Sequence, residues 1–127
     1  MDLRVKVYYH GPVFGLEGPA IVHEYTEAAV EEVAQVGKDA VDNVLSMVLR
    51  NPTPIYQTRI QIERAGADRI INDDNVIYGP WLEGVGSKNK TTRFKGYATF
   101  RKTRQWLDLR AQDIAERVLP RFLRRLQ

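Results

Sequence analysis

The chain has 127 residues, 43% of them hydrophobic and 28% charged, with a formal net charge of +3 and no cysteine. That length supports one domain with a single core, and the apolar-to-charged balance excludes wholesale disorder. The missing thiols exclude a disulfide framework, a thiolate metal site and a cysteine nucleophile.

The opening segment Met1–Pro12 lacks the apolar run of a signal peptide. No stretch reaches the roughly 18 apolar residues of a membrane span, so a soluble protein without membrane contact is expected. Leu3, Val5, Val7 and Tyr9 alternate with Arg4, Lys6 and Tyr8, which predicts a strand with one buried face. Residues 11–20 are rich in Gly and Pro and predict a loop, in which Phe14 and Leu16 either tuck onto the core or form an arm that grips a neighbouring subunit.

Thr26 is placed as an N-cap, with Glu27, Glu31 and Glu32 complementing the positive end of a helix. Val30, Val33, Ala34, Gly37, Val41, Val44, Leu45 and Val48 mark its apolar stripe as far as Pro52. The helix spans about 24 residues, roughly 36 Å. Gly37 lies on the stripe, where its cost of about 1 kcal/mol against alanine points to a close approach of the helix to another backbone.

Tyr56, Thr58, Ile60 and Ile62 alternate with polar residues and predict a strand, turned at Gly66–Asp68 and returning over Arg69–Asn72. Asp73, Asp74 and Asn75 read as a second turn or bulge before the extended Val76, Ile77 and Tyr78. Residues 84–95 are polar and basic and predict a flexible loop. From Tyr97 to Val118 apolar residues step by three and four, predicting a final helix that kinks or stops at Pro120. The expected fold is α+β, a small, mostly antiparallel sheet packed against a long helix and a C-terminal helix, as one domain over residues 1–127.

No cofactor, metal or catalytic group is predicted. His10 and His23 stand in no metal-ligand spacing and beside no nucleophile motif. Asp68, Asp73, Asp74 and Asn75 lack the alternating pattern of a calcium loop. Gly79 and Gly84 have phosphate-loop spacing, but Val85 occupies the lysine position.

Charge is divided along the chain: seven acids against two bases over residues 11–50, and three acids against twelve bases over residues 84–127. Such polarity suits docking of unlike faces, contact with nucleic acid, or plain solvation. Lys88, Lys90, Arg93, Lys95, Arg101, Lys102 and Arg104 interleave with Phe94, Tyr97, Phe100 and Trp106, which keeps a small basic nucleic-acid-binding module as the alternative function.

The order long helix, Asn51-Pro52-Thr53-Pro54 with Tyr56, hairpin, Tyr78-Gly79-Pro80-Trp81-Leu82-Glu83-Gly84, then Arg93-Phe94 before a last helix, resembles the tail-component family of bacteriophage neck and tail-completion proteins. The likeness covers roughly residues 24–120. It departs from the family where Asn51–Pro54 replaces a Thr-Gly step and where Arg93–Gly96 replaces a proline-rich block. The resemblance implies a non-enzymatic virion protein of the head-tail junction, a tail terminator or adjacent neck subunit assembled in the host bacterial cytoplasm. Its partners would be copies of itself in a ring, often six-fold, the head-connector and tail-tube proteins on either side, and, nonspecifically, DNA in the channel. Phe14, Leu16, Trp81, Glu83, Lys88, Lys90, Arg93 and Lys95 are the candidate interface or channel residues.

Overall fold

The computed structural model describes residues 1–6, 20–49 and 55–124. The expected continuation of the first strand through Val7 and Tyr9, residue His10, the arm with Phe14 and Leu16, and the Asn51–Pro54 segment lie outside the described residues. In chain order the elements are β1 (Asp2–Val5), α1 (Ala20–Val48), α2 (Ile55–Thr58), β2 (Gln61–Ala65), β3 (Asp68–Asn72), α3 (Gly79–Glu83), α4 (Thr99–Asp108) and α5 (Ala111–Leu123). The fold is α+β, a three-stranded antiparallel sheet in the order β1-β3-β2 against a long helix and C-terminal helices.

Alternation on the strands decides which face is covered. Leu3, Ile71 and Ile62 lie opposite one another across the sheet, as do Val5, Arg69 and Arg64. Leu3 and Ile71 are buried, while the intervening Arg4 and Glu63 are exposed. The long helix α1 covers that inner face with Val33, Gly37, Val41 and Leu45 and packs its other side on α4 and α5. Gly37 marks the narrowest point, since a Cβ there would stand 2.7 Å from Ile71 Cδ1 of the sheet and 3.0 Å from Leu107 Cδ2 of α4. The approach at Gly37 is therefore made by side chains of β3 and α4, not by another backbone as expected.

Several expectations need correction. The helix α1 begins at Ala20, so Thr26 sits inside it and not at its N-terminal cap. The predicted strand around Tyr56 is a single helical turn: Tyr56 and Ile60 are both buried while Thr58 is exposed, and a four-residue spacing is met by a helical turn as well as by a strand. Val76–Tyr78 is a turn, because Asp74 and Asn75 take φ of 56° and 54° and swing the chain outward.

The final helix breaks between Asp108 and Ala111, well before Pro120. Arg110 N–H donates to Leu107 O at 2.9 Å, a tighter turn that leaves Trp106 O to accept from the Arg110 guanidinium. Pro120 lies within α5 on its exposed side, where proline removes one helical N–H donor, to the Glu116 carbonyl.

The side chain of Asp73, 0% exposed, joins three segments. Its Oδ1 accepts from the Met1 ammonium and its Oδ2 from the Tyr56 hydroxyl, each at 2.8 Å. A Cβ on Gly79 would fall 2.0 Å from Oδ2, so α3 starts directly against the carboxylate. Burial, followed by the hydrogen bond to Asp73, pushes the Tyr56 phenol well above its ordinary range. The folded protein keeps a proton that the unfolded chain releases above pH about 10, so this contribution to stability is whole below that pH and is lost as pH rises beyond it. Tyr56→Phe should cost about 1–3 kcal/mol at neutral pH. It should also flatten the alkaline fall in stability, and urea denaturation of both proteins at neutral and alkaline pH measures the two effects.

Candidate interaction surface

After Tyr78 the chain makes the short helix α3, and three successive N–H groups, of Gly84, Val85 and Gly86, donate to Pro80 O at 3.0, 2.9 and 3.1 Å. Residues 84–96 then form a loop closed at its neck by two glycines at positive φ, Gly84 at 102° and Gly96 at 90°. A Cβ on Gly84 would lie 2.2 Å from Lys95 O, and one on Gly96 would lie 2.2 Å from Gly84 Cα. Only bare backbone fits that crossing. Tyr97 N–H donates to Leu82 O at 2.7 Å and Ala98 N–H to Glu83 O at 3.1 Å, which fastens the neck.

Inside the loop, a 3-10 turn over Ser87–Lys90 carries Asn89, which is 4% exposed. Its Oδ1 accepts from Gly86 N–H at 2.9 Å, and its Nδ2 donates to Trp81 O and Phe94 O at 3.0 and 3.1 Å. Phe94 packs between Trp81 and Tyr97, with ring centroids 4.3 and 5.0 Å apart. The segment predicted as a flexible loop is thus internally bonded around one buried amide, with aromatic packing beneath it.

Of the predicted interface residues, the structure brings Trp81, Lys88, Lys90, Arg93 and Lys95 together on this unit, all exposed. Lys95 is partly engaged, since its Nζ donates to Asn89 O at 2.8 Å. Glu83 does not belong with them. It is 7% exposed and points inward, where Oε1 accepts from Phe100 N–H at 2.8 Å and Oε2 from Arg101 N–H at 3.0 Å. It caps α4 from outside the helix, because Ala98 at the cap position has no side-chain acceptor. Phe14 and Leu16 lie outside the described residues.

Sequence reasoning missed Ile77, Tyr78 and Pro80. Ile77 is 97% exposed, Tyr78 44% and Trp81 37%. With Pro80, Gly86, Ser87, Lys88 and Thr92 they line a largely apolar groove of about 630 Å³. The signal that could have located it was the Asp73-Asp74-Asn75 cluster, whose tolerance of positive φ turns the following apolar residues outward. Among the described residues, no carboxylate lies within ion-pair distance of Lys88, Lys90 or Arg93.

The arrangement offers an apolar hollow with a cationic rim, held by backbone bonds on one side and the Asp73 junction on the other. No protein-family model matches the chain, and no curated protein or solved structure matches it either.

Asn89→Ala should open the loop by removing one buried acceptor and two donors, at a cost of about 1–3 kcal/mol. In a Trp106→Phe background, where Trp81 is the remaining indole, its fluorescence should shift to the red and trypsin should cut after Lys88 and Lys90 faster. Unchanged emission and cleavage would mean that Asn89 does not hold the loop.

Proposed function

We propose that the protein is a structural, non-enzymatic subunit of a long-tailed phage particle, docking through the Ile77–Lys88 surface into a ring at the head-tail junction. The observation that carries this reading is Ile77, a β-branched apolar residue 97% exposed beside Tyr78, Trp81 and a groove. Burying such a side chain is worth about 1.5–3 kcal/mol, and the fold leaves that gain unused. Single exposed apolar residues are ordinary, but a contiguous set around a preformed hollow marks a contact surface. The resemblance of the Tyr78–Gly84 and Arg93–Phe94 segments to neck and tail-completion proteins supplies the setting. In that setting the neighbours are copies of the chain, the head connector and the tail tube, and the cations beyond the groove face the DNA passage.

The same cations support the second reading, a nucleic-acid-binding module. From Gly84 to Leu107 the chain has seven bases and no acid, and Arg101, Lys102 and Arg104 are exposed on α4. Light scattering on the purified protein over a range of concentrations, at low and high salt, separates the two. The ring reading expects an oligomer larger than a dimer that loosens with salt. A monomer throughout, with DNA affinity falling steeply as salt rises, would overturn it in favour of the binding module.

A further inference from the structure

We infer that the groove between Ile77 and Lys88 receives the outer face of α1 from a second copy of this chain, with Met47 seated against Tyr78 and Trp81 and Asp39 opposite Lys88. This rests on the ring reading above and names the two surfaces that would meet.

Charge selects the occupant. Lys88 lines the groove, Lys90 and Arg93 are exposed on the same loop, and no acid occurs in sequence between Glu83 and Asp108. Two copies of this surface facing each other would therefore oppose cation to cation, which costs affinity. The groove calls for an apolar knob accompanied by carboxylates. Among the described residues, α1 carries such a face. On α1, Glu27 and Glu31 are engaged by Arg64 and Arg69, and Asp42 by Lys38. Glu32 and Asp39 are exposed and meet no cation within ion-pair distance among the described residues.

Asp39, Asn43 and Met47 follow at four-residue steps, so they share one side of the helix over about 12 Å. Met47 is 78% exposed, and its unbranched thioether is suited to an irregular aromatic hollow. Unlike faces meeting in this way form a heterologous contact, the kind that closes rings.

Four exposed positions test it: Ile77→Asp and Lys88→Glu in the groove, Met47→Lys and Asp39→Lys on α1, each checked for an unchanged thermal midpoint. Self-association followed by concentration-dependent light scattering should weaken about tenfold or more in each single variant. The double variant Lys88→Glu/Asp39→Lys should recover most of the wild-type association, because the pair is restored with its signs exchanged. If the wild type assembles while Met47→Lys and Asp39→Lys assemble equally well, the α1 face is wrong and the ring reading stands. If the groove variants also assemble normally, docking through the Ile77–Lys88 surface is overturned along with this contact, and if only the double variant fails to recover, the Lys88–Asp39 pairing is overturned. A wild type that never assembles overturns both.

Discussion

A buried carboxylate organises this fold. Removing a charged group from water is costly unless donors replace the water, and breaking such an arrangement on one side leaves the charge exposed to an apolar interior. Asp73 meets that demand with the Met1 ammonium, just before β1, and the Tyr56 hydroxyl of α2. Its own N–H donates to Met1 O, and the backbone at Gly79 presses against its oxygens. The chain therefore leaves Asp73 and returns to it within six residues. Residues 74–78 are a loop pinned at both ends, and Ile77 is at its outer limit. The exposure of Ile77 follows from that topology, while its apolar character serves nothing within the described fold.

The second constraint is the backbone crossing at Gly84 and Gly96. It brings Leu82 and Glu83 alongside Tyr97 and Ala98, and so places the Glu83 carboxylate under the first free amides of α4. One short stretch thereby closes a loop and starts a helix. The groove lies between the Asp73 junction and this crossing, which means its walls are ordered before any partner arrives. Preordered walls lose less conformational freedom on binding, which favours affinity for a given contact area.

The sequence was most readable where a single periodicity ran long enough to exclude others. The apolar stripe of α1 and the hairpin between Gln61 and Asn72 lie where the alternation put them, and so does the α+β layering. It was least readable where the deciding bond came from far along the chain. Tyr56 to Ile62 fits a strand or a helical turn equally well by pattern, and the hydroxyl of Tyr56 reaching Asp73 belongs to the helical solution. Residues 84–95 look loose because they are polar, yet their order comes from one amide side chain and a glycine crossing, neither of which leaves an apolar signature. Glu83 looked like a surface acid for the same reason: its role is defined by amides seventeen and eighteen residues away.

The fold also changes what the charge distribution means. Read along the chain, an acidic first half and a basic end suggest two opposed fields. In three dimensions much of the acidity is spent internally, because Arg64 and Arg69 of the hairpin lie against Glu27 and Glu31 of α1. Arg69, with its side chain only 6% exposed, lies within 3.5 Å of Glu27 and 2.7 Å of Glu31, so part of their charge is compensated within the fold although both side chains remain about half exposed. The cations of the 84–96 loop have no such counterpart among the described residues. The outward field of the molecule is therefore more one-sided than its net charge of +3 indicates, concentrated beside the apolar groove. An acidic partner is drawn to that side at long range, and the aromatic hollow then selects what it carries.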